Sequence, residues 1–396
     1  MNDPSARPPA SPLMACMLEL APEMREIRRD IHRHPELAYE EKRTAALVAA
    51  RLREWGIEVH EGIGGTGVVG VLGAAKTGRR IGLRADMDAL PIREATGLPY
   101  ESVHHGLAHS CGHDGHTAML LCAARYLAQT RRSAGRIHLI FQPAEEGKAG
   151  ARAMIEDGLF ERFPCDEIYA LHNWPGLPAG TIATRPGAIM AAADRIEIVV
   201  RAAGGHAAEP HRSADAILCA AQIVTAAHTL VARRVDPNAT AVLSLTRISG
   251  GSSHNVMPAE VTLTGTVRTF DPAVQDRIEQ SLRDVVEGTA RAAGCSATLA
   301  YHRYYPATVN DAQCARHALE AGAALSGGAT LLDAPAFTSE DFAFMLKEVP
   351  GAYVWLGQCS PDRSAPLHTP GYDFNDEVLA LGAGLLASLA ERRSAA

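Results

Sequence analysis

The sequence predicts an α/β protein whose main domain is interrupted by a smaller α+β unit. Three observations carry this expectation. Strand and helix patterns alternate through residues 21–171, with polar donors just beyond the strands. Residues 194–305 follow the order β-α-β-β-α-β, which builds a four-stranded sheet with two helices on one face. Helix and strand patterns then resume, so the second unit sits inside the first.

Taken in order, residues 1–10 carry neither a basic n-region nor an apolar h-region and read as a disordered lead-in without a secretory signal. Ala21–Arg33 reads as a helix, broken by His34-Pro35. A second helix runs from Glu40 to Trp55, with Leu47, Val48, Leu52 and Trp55 at helical spacing. Strands follow at Ile57–His60, Val68–Leu72 and Ile81–Ala85. The last runs into Asp86 and Asp88, which read equally as turn aspartates or as functional carboxylates at a strand end.

His109–His116, H-S-C-G-H-D-G-H, offers three imidazoles, a thiol and a carboxylate, with two glycines that let the backbone bend. A helix follows, and its N-terminal end favours thiolate at Cys111. Arg136–Phe141 is a strand ending in Glu145-Glu146, and Glu167–Leu171 is a strand ending in His172. Adjacent glutamates diverge, so one can bind metal while the other handles protons.

The inserted unit has strands Asp194–Arg201, Thr240–Ile248, Val261–Phe270 and Ser296–Tyr305, the ferredoxin-like arrangement. Its helices are Ser213–Ala232, capped by Ser213, and Asp271–Ala293, capped by Asp271 with Pro272 first. The resumed part has a helix from Asp311, a short helix capped near Phe337–Phe342, a strand Tyr353–Leu356, a loop with His368, and a final helix Asp376–Arg392. The expected domains are 1–186 and 304–396 for the main part and 187–303 for the insertion.

Composition bounds the function. The 396 residues, 47% hydrophobic and 21% charged, suit an ordinary globular protein, and a net charge of -7 without a basic run argues against a nucleic-acid partner. No apolar run is long enough to span a membrane. Eight scattered cysteines without a C-x-x-C pair fit reduced thiols in the cytoplasm. The candidate donors Asp86, Asp88, Cys111, His113, Glu145, Glu146, His172 and His368 suffice for two metals with open positions. Their spacing exceeds any compact structural zinc module.

The chain resembles the dinuclear metallohydrolases that include aminoacylases, carboxypeptidases and deacetylases, and within them the hippurate hydrolase and auxin-amino-acid amidohydrolase branch. The matching motifs are R-A-D-M-D-A-L-P-I (84–92), H-S-C-G-H-D-G-H-T-A-M-L (109–120), F-Q-P-A-E-E-G (141–147), A-L-H-N-W-P (170–175), G-G-H-A-A-E-P-H (204–211), S-S-H-N-V-M-P (252–258) and P-L-H-T-P (366–370). The resemblance implies a zinc-peptidase-like catalytic domain, with a mixed sheet flanked by helices, and an inserted lid and dimerisation domain. It implies two divalent ions per subunit (manganese, zinc, cobalt or nickel) held by Cys111, His113, Glu146, His172 and His368. Glu145 matches the general acid/base and Asp88 the carboxylate that orients a ligand. Asp86 stands where other branches carry a metal-binding histidine and is left out of the ligand set. His206 and Asn255 match residues that reach the scissile carbonyl, and the histidine can serve a neighbouring subunit in a homodimer or higher homo-oligomer. A leaving amino acid carries a carboxylate, for which Arg268 is one candidate partner, a solvated arginine being the other reading. His116, His211 and His254 receive no role beyond packing or hydrogen bonding.

Three readings stand at this point. They are hydrolysis of N-acyl amino acids, a dipeptidase or carboxypeptidase on the same scaffold, and a metal-binding protein without activity. The presence of every expected ligand and of Glu145 speaks against the last.

Overall fold

The computed structural model describes residues 11–73 and 78–395. The expected lead-in, residues 1–10, lies outside the described residues. The chain divides into two compact units. The first holds the described residues up to Ile189, Val309–Ala334 and Asp341 onward, and the second holds Met190–Thr308 and Pro335–Glu340.

The first unit is built on an eight-stranded mixed sheet. Its spatial order is Glu58–Ile63, Gly67–Leu72, Arg136–Gln142, Arg80–Asp86, Glu167–Pro178, Gly351–Cys359, Ile182–Thr184 and Thr330–Leu331. The four adjacent strands from Arg136–Gln142 to Gly351–Cys359 run parallel. Arg80–Asp86 is buried at every position after Arg80, as a central strand covered on both faces must be. Glu167–Pro178 runs well past the expected end at Leu171. Its neighbour Arg80–Asp86 stops pairing at Ala170, while Gly351–Cys359 continues beside it and pairs Trp355 with His172.

The helix His113–Thr130 is buried on almost every side, with Ala118 to Ala124 out of solvent, and packs in the main core with Met17, Met24, Leu385 and Leu389. Two glycines at its start do different work. Gly112 sits at φ +94°, a left-handed conformation that favours glycine. Gly115 is helical, and any β-carbon there would collide with the ring of Phe374. The first helix, Pro12–Arg33, starts nine residues before the expected Ala21 and is capped by Ser11. It runs through Pro22, which the proline-break rule disfavours. Pro22 lies on the solvent face, where water can reach the backbone groups it leaves unpaired.

Arg28 ties this helix to distant segments. Fully buried, it pairs with Asp114 at 3.1 Å, Asp373 at 2.9 Å and Asp376 at 2.9 Å. Without Arg28 each carboxylate keeps one other cationic partner, His32 for Asp114, Arg363 for Asp373 and Arg29 for Asp376, but loses a buried charge-assisted hydrogen bond. Arg28→Met is expected to lower the unfolding free energy by about 1–3 kcal/mol, read as a lower denaturant midpoint at unchanged slope. A loss within about 0.5 kcal/mol, the ordinary surface range, would show the group to be incidental.

The second unit carries an antiparallel sheet in the order Ala241–Gly250, Glu260–Thr269, Ala192–Arg201, Ser296–Tyr305, which is the ferredoxin-like order. Its core joins Ile196, Ile198 and Leu263 to Cys219 and Ile223 of one helix and Ile278 and Leu282 of the other. The helix expected from Ser213 begins instead at Ala216. Asp215 is its cap, accepting from the N–H groups of Ile217 and Leu218, and the helix ends at Ala227 before a separate turn at Leu230–Arg234. Pro335–Glu340, expected with the main domain, joins this unit. Ala191 N–H donates to the carbonyls of Ala336 and Thr338, and Phe337 packs on Phe270 at 5.2 Å. Among the described residues all eight cysteines are unpaired, and no helix is long and apolar enough to cross a membrane.

Candidate metal centre

The parallel strands of the first unit bring their C-terminal ends together, and side chains that are far apart in sequence meet there. Cys111, His113 and His172 form one group whose donor atoms lie within 4.8 Å of one another. Cys111, Glu146 and His368 form a second such group, and His113, Glu145 and Glu146 a third. Cys111 is common to the first two.

Hydrogen bonds settle which atoms face inward. His113 Nδ1 donates to Asp88 Oδ1 at 3.2 Å, while its Nε2 is buried without a hydrogen-bond partner. His172 Nδ1 donates to the Asn173 carbonyl at 2.6 Å, which leaves Nε2 facing Cys111 Sγ at 3.5 Å. His368 Nε2 lies 3.0 Å from Glu146 Oε1 without hydrogen-bond alignment, as two groups do when they face a common ion. A cluster of imidazole, thiol and carboxylate donors with an orphaned buried nitrogen fits divalent cations of the zinc–manganese–nickel range.

Asp88 holds both sides of this arrangement. Besides His113, it accepts the N–H of Glu145 at 3.1 Å and that of Glu146 at 2.9 Å. Asp86 and His116 lie against the donors, with Asp86 Oδ2 3.8 Å from His113 Nε2, but their polar atoms are engaged elsewhere. Asp86 pairs with Arg84 at 2.7 Å, and His116 is committed through Nδ1 to Asp86 and through Nε2 to Asn173. The geometric grouping of Asp86 with His113 and His116 thus lacks free donors on two of its three members.

The thiol state differs from the sequence expectation of a thiolate favoured by the helix end. Burial, with Glu146, Glu145 and Asp86 beside it, pushes the Cys111 thiol well above its ordinary value. At His113 burial opposes charge, but Asp86, Asp88 and Glu146 outweigh it and raise the imidazole to about 10. Four carboxylates, Asp86, Asp88, Glu145 and Glu146, thus crowd a site whose nearby positive groups are His113 and Arg84, an excess of negative charge that complements bound cations.

Glu145 and Glu146 sit on a broken turn. Ala144 takes φ +55° and Ala149 φ +55°, and Glu146 leaves helical geometry at ψ 83°. A left-handed alanine costs about 1–2 kcal/mol, so this turn is held against its own preference. Glu145 is buried, and its Oε1 accepts from the backbone N–H of Asp341 at 3.4 Å. The stretch Phe337–Phe342 is expected to cap a short helix, and Asp341 precedes that helix without capping it through its carboxylate. It instead accepts from Gln142 at 2.8 Å, Arg84 at 3.1 Å and the N–H of Ala151 at 2.9 Å. Sequence reasoning missed Asp341 and Arg84, although Arg84 lies inside a quoted motif and Asp341 in the acidic S-E-D-F stretch.

The remaining candidates lie in the second unit. His206 is exposed on Gly205–His206, which pairs with Val256–Met257, so the same two-stranded ribbon carries Asn255 at its edge. Asn255 accepts from the Ser253 hydroxyl at 2.7 Å. Arg268 is half-buried on Glu260–Thr269, with its guanidinium donating to the Thr266 hydroxyl and the Val267 carbonyl of its own strand.

Comparison with known proteins adds the following. The model of peptidase family M20/M25/M40 matches residues 82–392. The hippurate hydrolase of Campylobacter jejuni is 40% identical over 376 residues, 94% of this chain and 97% of that protein. Thermostable carboxypeptidase 1 of Saccharolobus solfataricus is 38% identical, over 93% of this chain and 95% of that protein. The crystal structure of a dinuclear metal binding peptidase from the M20 family of Bacillus subtilis is 35% identical, with a TM-score of 0.84 over 95% of this chain and 98% of that one.

Proposed function

The chain belongs to peptidase family M20/M25/M40 and is a hydrolase acting on amides, and on that premise we propose that it cleaves N-acyl amino acids to a carboxylic acid and a free amino acid. The convergence of Cys111, His113, Glu146, His172 and His368 around Glu145 carries the reading. The similarity to a hippurate hydrolase directs it toward hippurate-like, N-acetyl and other N-acyl or aryl-acyl substrates.

In this proposal two divalent ions are held by those five ligands and Asp88 orients His113. When bound, the ions lower the pKa of water and polarise the amide carbonyl. Glu145 takes the proton of the attacking water and returns it to the leaving amine. Glu145 is buried, so water other than the attacking one is kept from its carboxylate. His206 and Asn255 are the assigned donors to the carbonyl oxygen. Arg268 is the assigned cation for the α-carboxylate of the leaving amino acid.

The proposed assembly is a homodimer or higher homo-oligomer through the second unit. The open edge of the strand Ala241–Gly250 and the exposed Ile217, Leu218 and Ile248 support it. Eight unpaired cysteines support a reducing compartment such as the cytoplasm.

A substrate panel tests the reading. Release of free amino acid from N-benzoyl and N-acetyl amino acids is expected to exceed turnover of dipeptides with a free N-terminal amine. A preference for the free amine would install the dipeptidase or carboxypeptidase reading, which the similarity to a carboxypeptidase keeps in view. No hydrolysis by metal-loaded protein across the panel would remove both.

A further inference from the structure

The turn that presents Glu145 is held by its backbone. Three consecutive N–H groups, of Ala144, Glu145 and Glu146, each end on a buried carboxylate. The last two donate to Asp88, and the first donates to Glu41 Oε1 at 2.8 Å. Glu41 lies just ahead of the helix Lys42–Glu54 and does not cap it through its side chain. It is fully buried and makes no ion pair among the described residues, and its second oxygen accepts the Thr66 hydroxyl. Burial also raises its pKa, with Asp88 adding to the effect. A desolvated carboxylate with no cation burdens a fold, so the hydrogen bond to Ala144 is the feature of its surroundings that explains it.

Ala144 is where that bond matters. It is fully buried at φ +55° and ψ 41°, a conformation an alanine adopts only when its surroundings impose it. Its carbonyl is tied to the N–H of Gly150 at 3.0 Å, so both polar groups of the strained residue are pinned. The direction of the next side chain, Glu145, follows from the backbone angles at Ala144.

We propose that Glu41 is a positioning residue for Glu145, fixing Ala144 in the left-handed conformation and thereby aiming the neighbouring carboxylate. The inference rests on the acid/base reading of Glu145. It predicts that what matters at position 41 is an oxygen acceptor and not a charge.

Glu41→Leu fills the space and removes the acceptor, whereas Glu41→Gln keeps it. With the metal-loaded full chain and an N-acyl amino acid that it turns over, Glu41→Leu should lower kcat about a hundredfold, the scale of a misaligned catalytic group. KM and bound metal should stay at wild-type levels, and Glu41→Gln should retain most of kcat. An unchanged kcat in Glu41→Leu overturns the proposal. So does a fall in Glu41→Gln as deep as in Glu41→Leu, or a loss explained by lost metal. If Glu41→Leu does not fold, Thr66→Val removes the hydroxyl that anchors the Glu41 carboxylate and so loosens its hold on the Ala144 N–H. A partial fall in kcat is then expected, and no change overturns the idea. Glu145→Gln run alongside separates the two levels. An active Glu145→Gln removes the acid/base reading, while an inactive one beside an unaffected Glu41→Leu removes only the positioning role.

Discussion

Glu145→Gln should lower kcat by about 10²–10⁴-fold, the range of a general acid–base group. The substitution is isosteric, and the amide oxygen can still accept the Asp341 N–H that now meets Glu145 Oε1. The backbone N–H of residue 145 keeps its bond to Asp88, and Glu146, His113 and Cys111 are untouched. Metal content and melting temperature should therefore match the wild type, so that the loss falls on proton transfer alone. Steady-state kinetics and metal analysis on one preparation provide the check. Wild-type kcat in fully loaded protein would move the acid/base assignment elsewhere. A loss accompanied by missing metal would assign position 145 to binding.

The elements around this glutamate were unequally legible in the sequence. Cys111, His113, Glu145, Glu146 and His172 were visible as donors because each follows a run of β-formers or opens a helix, and such places lie at the functional edge of an α/β sheet. Glu41 and Asp341 carried no such signal. They act 103 residues from Ala144 and 196 residues from Glu145, through backbone groups that no local pattern marks. The thiol of Cys111 shows the same limit. A helix N-terminus favours thiolate, but carboxylates delivered by two other segments, with burial, outweigh a half-charge at one helix end. Asp215 in place of Ser213 as the helix cap was a local ambiguity, since both residue types suit that position. Pro335–Glu340 groups with the second unit through contacts to Ala191 and Phe270, which are long-range and which no local pattern marks.

Chelation should abolish hydrolysis, and manganese, zinc, cobalt or nickel should restore it, with metal affinity weakening as pH falls. The sign follows from the protons held in the metal-free site. His113 is raised to about 10 and the Cys111 thiol lies well above its usual range, so at neutral pH both carry a proton where a metal bond must form. Binding must expel those protons, and each proton displaced weakens apparent affinity about tenfold per unit fall in pH. Titration of metal into chelated protein at several pH values, in buffers of different ionisation enthalpy, would show both the slope and the proton release. Cys111→Ala should flatten the slope by the contribution of one proton while weakening binding, because Cys111 belongs to both donor groups. Affinity that does not change with pH would mean that the metal binds through groups other than these two. Hydrolysis that survives complete removal of metal would place the chemistry outside this cluster altogether.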